Sequence, residues 1–196
     1  MREPNLRRSL AVVSVTVLLL PGLGSSAVGD PWGTETRNTG AHPDEDPHTF
    51  CFGGSLGDDA AGNVSSAENR ALDPTQARVR FNVSCDLSGR SETDVVWRQG
   101  NLPPRTTGRT FCQDHESSGN QCDQFYATLD MRLIRVGPHD EIDTTGTVCH
   151  ELGHSAGLSH GDHKSDCMQS TGTQAPTVKK FRRYGKHHRG HINRWF

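Results

Sequence analysis

The chain has little apolar content and only one long hydrophobic run. Hydrophobic residues make up 32% of its 196 positions, beside 21 glycines, so its core is expected to be modest and loop-rich. Beyond Leu20 no apolar stretch approaches the roughly 20 residues that a membrane span needs, which excludes a multi-spanning membrane protein. No CxxC pair occurs, which argues against a cysteine-built metal cluster. No internal repeat is present, so a repeat architecture is excluded.

The one apolar run is at the front. Arg2, Arg7 and Arg8 precede Leu10 to Leu20, Pro21 and Gly22 end the run, and Ser25-Ser26-Ala27 follows. That is the order of a secretory signal with a small-residue cleavage site, and 11 residues are too few for an anchor. Cleavage after Ala27 leaves 169 residues with 18 basic and 22 acidic side chains, a formal charge of −4. The balance is uneven. Lys179 to Phe196 holds seven Lys or Arg and no acid, whereas residues 28–178 carry 11 basic and 22 acidic residues.

Export changes how the cysteines read. Cys51, Cys85, Cys112, Cys122, Cys149 and Cys167 all follow the signal, and an even count in an exported chain predicts three disulfides. Six cysteines permit about 15 pairings. Two have a local rationale. Cys112 and Cys122 bracket a polar stretch, and Cys149 and Cys167 flank a histidine-rich one. Cys51 would then pair with Cys85.

Residues 28–48 lack apolar periodicity and hold three prolines; they read as a flexible leader or short pro-segment. One domain is expected over 49–196. Residues 65–74 suggest a short helix ending before Pro74. Ala77, Val79, Phe81 and Val83 alternate with polar neighbours, the mark of a strand over 76–84 with one buried face. Further strands are expected near 94–98 and 124–136, the second with room for a bend, and the stretch between them reads as loop. A helix from about Thr144 to Ala156 carries the histidines. A last helix is expected over 184–196 with Ile192 and Phe196 facing inward. Asn63 and Asn82 sit in N-glycosylation sequons.

Residues 147–168 hold four of the eleven histidines. His150 and His154 stand four apart, so on a helix both imidazoles share one face. Glu151 stands between them, within reach of a metal-activated water but not placed as a ligand. Gly157 permits a left-handed turn that ends the helix, and His160 returns toward the same point. Three neutral imidazoles leave a fourth tetrahedral position open, as in a catalytic zinc site. Zinc there would lower the pKa of water and polarise a carbonyl, with Glu151 as general base. His163 fits this spacing badly and reads as a solvated loop residue. Asp162 and Asp166 read as turn residues, with a bond to a ligand histidine as the alternative.

H-E-x-x-H-x-x-G-x-x-H followed by a methionine is the metzincin signature, and His150 to His160 with Met168 meets it in full. Within that group "HELGHSAGLSH" resembles the matrixins, although Ser170 departs from their usual proline. The resemblance implies an α+β catalytic domain with a twisted mixed sheet, a zinc-binding helix, a Met-turn at Met168 and a C-terminal helix. It implies a secreted extracellular endopeptidase with one catalytic Zn2+ on His150, His154 and His160. Protein or peptide substrates would bind extended along an edge strand within 124–136. Ser170 to Val178 would line the pocket for the residue after the scissile bond. Matrixins also bind structural zinc and calcium; no matching ligand pattern for Ca2+ is found, so those sites are not carried over. No PRCG-type motif occurs, so cysteine-on-zinc latency is unsupported.

The expected partners are substrates alone: no nucleic acid, no membrane span after signal cleavage, and a monomeric state. Two other classes remain open. One is a non-catalytic, zinc-stabilised binding protein, against which the presence of Glu151 argues. The other is an anion-binding protein using the basic tail, which otherwise reads as a solvated helix face. The tail lacks the interleaved aromatics of a single-strand binder. His187, His188 and His191 lie outside the signature.

Overall fold

Apolar strands take the middle of a sheet and polar ones its edges, because only the middle is covered on both faces. The computed structural model describes residues 42–43, 47–89, 92–116, 121–135, 138–160, 166–169 and 182–196. The expected signal, most of the leader, Asp162, His163 and Ser170 to Val178 lie outside these residues. No described helix is long and apolar enough to cross a membrane.

Strands β1 (His42–Pro43), β2 (His48–Phe52), β3 (Val79–Phe81), β4 (Val95–Gln99), β5 (Gly108–His115) and β6 (Gln121–Leu129) form one mixed sheet. The order runs β3–β2–β4–β6, all parallel, with the short β1 also parallel to β6. Strand β5 alone is antiparallel and pairs only with β6. Helices α1 (Asp58–Leu72) and α3 (Asp140–Ser155) lie against each other. The core between them and the sheet includes Phe50, Val64, Leu72, Trp97, Leu129, Val148 and Leu152.

Several elements differ from what the sequence suggests. Helix α1 starts at Asp58, not near 65, because Ala60, Val64, Ala67, Ala71 and Leu72 form one continuous buried face, and Asp58 and Asp59 suit the positive end of its dipole. The expected strand 76–84 shrinks to β3 at the sheet's edge. Its alternation is not a buried face: Phe81 is 45% and Val83 94% exposed. The region read as loop contains β5. That strand alternates buried Thr110 and Cys112 with polar Arg109 and Gln113, a pattern hidden by its short apolar content. Strand β6 ends at Leu129, because Asp130 accepts the Arg132 amide and caps the single-turn helix α2 (Met131–Ile134). Helix α3 begins one turn early, at Asp140, with Asp140, Glu141 and Asp143 in its first turn. Helix α4 (Lys186–Ile192) is shorter than expected; Ile192 is fully buried and Phe196 packs against the core. His42, His48 and Pro43, within the stretch expected as leader, are strand residues.

Three disulfides join these parts: Cys51–Cys85, Cys112–Cys122 and Cys149–Cys167. Cys112–Cys122 does not close a loop; it cross-links β5 to β6 beside a bulge at Asp114.

One core residue is a carboxylic acid. Glu68 on α1 is fully buried, and its Oε1 accepts the Trp97 indole N–H at 2.5 Å. Burial, only partly offset by that bond, pushes its pKa up to about 8. The folded chain therefore holds a proton that the unfolded chain releases near pH 4.5. Stability is full below that pH, falls as pH rises toward about 8, and then levels off. Glu68→Gln keeps the acceptor for Trp97 and removes the titration. It is expected to be more stable than wild type at pH 8 and equal to it near pH 4. The variant's advantage over wild type should grow by on the order of 1 kcal/mol per pH unit across that window. Urea unfolding followed by Trp fluorescence between pH 4 and 9 measures this.

Candidate metal centre

The end of α3 sets the geometry. Gly157 adopts φ +82°, which an L side chain resists. Its N–H bonds the His154 carbonyl at 3.1 Å, and the Leu158 N–H bonds the Gly153 carbonyl at 2.8 Å. This pair of bonds is a Schellman cap. It turns the Leu158 carbonyl back onto the helix, where it accepts the His154 Nδ1–H at 2.9 Å. The cap thus stops the helix, orients one imidazole and sends the chain toward His160.

His150 is oriented from the other side. Its Nδ1–H donates to the Cys167 carbonyl at 2.7 Å. The Cys149–Cys167 disulfide fixes that carbonyl against α3. With both Nδ1 atoms donating, the Nε2 atoms of His150 and His154 carry lone pairs. They lie 3.2 Å apart, and His160 Nε2 lies 3.0 Å from His150 Nε2. Crowding by the surrounding protein, reinforced by the facing His154 and His160, pulls the His150 pKa down to about 3. A set of neutral imidazoles with facing lone pairs is unfavourable alone and becomes favourable around a cation. Tetrahedral zinc with Zn–N near 2.0–2.1 Å places its ligands roughly 3.3–3.4 Å apart, close to the spacing here. The donor set therefore fits a borderline metal such as zinc.

Glu151 is 3% exposed and stands beside this cluster. The Thr110 hydroxyl on β5 lies 2.8 Å from its Oε2 and 3.1 Å from its carbonyl oxygen. Gly108 lies so close that a Cβ there would come within 2.5 Å of Glu151 Oε1. Strand β5 therefore fixes the carboxylate, and sequence reading missed both residues because it took β5 for loop. It also placed the substrate edge within 124–136. That is corrected here: β6 is paired on both sides, by β4 and by β5, and the open edge beside Glu151 belongs to β5.

Met168 is fully buried beneath α3. A Cβ on Gly153 would collide with its Sδ and approach Tyr184 Cε1 to 3.2 Å, so the glycine at the middle of H-E-x-G-H makes room for the methionine. Asp166 bonds no ligand histidine. It accepts the Met168 N–H at 2.9 Å, the Gly185 N–H at 2.8 Å and His188 Nδ1–H at 2.5 Å. Burial pushes its carboxyl up, but these three donors outweigh it and hold the pKa below the usual range. His188 is thus a structural partner of Asp166. His187 and His191 meet edge to face on α4 with centroids 4.6 Å apart. Among the described residues, the three histidines at 150, 154 and 160 are the group whose ligand atoms converge closely enough to hold a metal ion.

A second histidine system has the look of a Ser–His–Asp triad. His48 Nε2 lies 3.1 Å from Ser155 Oγ, and its Nδ1 lies 3.8 Å from Asp94 Oδ2. Ser155 is 0% exposed and donates its proton to the Leu152 carbonyl. No substrate reaches it, so the group ties β2 and β4 to the end of α3.

No protein-family model and no curated protein matches this chain. Solved structures with a similar course include archaemetzincin from Methanopyrus kandleri, at TM-score 0.48 and 14% identity over 78% of this chain and 97% of that one. Metalloproteinase-II from Bacteroides fragilis aligns at TM-score 0.45 and 15% identity, over 85% of this chain and 57% of that one.

The Gly153–Met168 contact gives a test of this centre. Gly153→Ala is expected to cost about 1–3 kcal/mol, the usual range for overpacking, and to weaken zinc binding. Adding Met168→Ala should restore part of both losses. Calorimetric stability and zinc titration of the two variants measure the coupling.

Proposed function

We propose that this chain is a secreted zinc-dependent endopeptidase of metzincin type, matrixin-like in its motif. His150, His154 and His160 are its metal ligands, Glu151 its general base and Met168 its Met-turn residue. The signal would occupy 1–27 and a short leader 28–48, with the protease domain following. One observation supports this most: Thr110 and Gly108 fix the Glu151 carboxylate beside three converging imidazole nitrogens. A merely zinc-stabilised binding protein has no need of that carboxylate. The three disulfides suit an oxidising compartment.

When bound, zinc supplies Lewis acidity that activates water and polarises a carbonyl. The protein's own residues do the rest. Strand β5 offers its open edge to an extended peptide by strand addition. Glu151 takes a proton from the attacking water and passes it to the leaving amine, so no proton is gained or lost overall. Thr110 holds Oε2 in place through both transfers.

The test compares wild type, Glu151→Gln and Thr110→Val on a fluorescent denatured protein, with zinc content measured in each. Glu151→Gln is expected to keep about one zinc and lose roughly 10²–10⁴-fold in kcat/KM. Thr110→Val should lose about tenfold, mainly in kcat. Chelation should abolish cleavage and zinc restore it. If wild type holds zinc and cuts nothing with the leader removed, the binding-protein reading replaces this one.

A further inference from the structure

A cleft away from the His150, His154 and His160 cluster collects positive charge. Arg70, Arg182, Arg183 and Arg189 line a cavity of about 430 Å³ together with Pro74 and Tyr184. Arg70 stands in the last turn of α1, Arg182 and Arg183 precede α4, and Arg189 lies on it. Among the described residues, none of the four arginines forms an ion pair with a carboxylate. Arg70 uses one guanidinium nitrogen on Ser66 Oγ at 2.9 Å. Arg182 Nε is buried with no hydrogen-bond partner, a costly state for a charged donor.

Two buried acids around Tyr184 are occupied. Glu68 and Asp166 both act on Tyr184, whose edge touches the cleft. Glu68 is buried and bonded to Trp97, and Asp166 already accepts from Met168, Gly185 and His188. The cleft is also rigidly built. The Tyr184 hydroxyl donates to the Cys149 carbonyl at 2.7 Å, and the next residue, Gly185, is held by Asp166 at 2.8 Å. Guanidinium forks on a fixed wall match the oxygens of a phosphate or sulfate group, two bonds at a time. The volume falls within the range of small-molecule sites and leaves room for a ring beside the anion, next to Pro74.

We propose that this cleft is a binding site for a phosphate or sulfate ester, with the oxyanion on Arg182 and Arg189 and its organic part beside Pro74. A concave pocket suits a single ester group rather than a nucleic-acid backbone, which needs an extended stripe of charge. The site is separate from the peptidase reading and is tested by binding alone.

The experiment is calorimetric titration of the chain from Val28 onward with phenyl phosphate, phenyl sulfate, inorganic phosphate and neutral phenol. Saturable 1:1 binding of at least one ester is expected, tighter than that of inorganic phosphate, with none for phenol. Preference between the two esters tells which source the site accepts. Arg182→Gln and Arg189→Gln should each weaken binding by about tenfold or more, the usual worth of a charge-assisted bond. Arg80→Gln, on β3, should leave it unchanged. Circular dichroism checks folding, and Arg70→Gln, whose side chain is exposed, serves if Arg182→Gln does not fold. No saturable binding overturns the proposal, as does equal weakening by Arg80→Gln. Binding lost in His160→Ala but kept in Arg182→Gln would put the anion on the histidine cluster and overturn it too. Tighter binding of a DNA oligonucleotide than of either ester, with the arginine variants unaffected, would do the same.

Discussion

Two backbone carbonyls govern this structure. Those of Leu158 and Cys167 take the Nδ1 protons of His154 and His150, and that choice leaves the Nε2 lone pairs for a metal. Much of the surrounding sequence serves to hold these two oxygens. Gly157 lets the helix end in a cap that returns Leu158. The Cys149–Cys167 bond and the Asp166 anchor on Met168 hold Cys167. Without either carbonyl, the imidazoles could rotate or change tautomer, and three facing lone pairs would separate instead of converging.

The grouping of the three histidines was legible in the sequence because it is local. H-E-x-x-H places two ligands by helix periodicity alone, and Gly157 with His160 follows by a short turn. The pairing of Cys149 with Cys167 could also be suggested from proximity. What supports Glu151 was not legible. Thr110 and Gly108 are 41 and 43 residues away in sequence, on a polar edge strand that resembles a loop. An edge strand needs only one buried face and a few buried side chains, so its hydrophobic signal is weak. The same weakness misled in the opposite direction at β3, where an alternating pattern of apolar residues is largely exposed.

Asp166 shows the limit differently. From sequence it was a turn residue or a partner of a ligand histidine. In the fold it reaches α4 and accepts a bond from His188, a histidine outside the metal-binding signature. A buried carboxylate with three donors is a long-range junction, and nothing near it in sequence announces its partners. The basic tail therefore contributes more than charge: its helix closes the acid that holds the Met168 segment.

Tyr184 makes the two halves of the molecule dependent on each other. Its hydroxyl donates to the Cys149 carbonyl in α3, its ring borders the space between Gly153 and Met168, and its edge touches the arginine cleft. Burial raises its pKa well above that of free tyrosine, so it remains a donor at any physiological pH. Removing this side chain would open the cleft and unseat α3 together, and such a variant could not separate the roles of the two sites. The guanidinium groups can, because they touch the cleft and are absent from the histidine cluster. Two buried carboxylates near Tyr184 are engaged elsewhere, Glu68 with Trp97 and Asp166 with the Met168 segment.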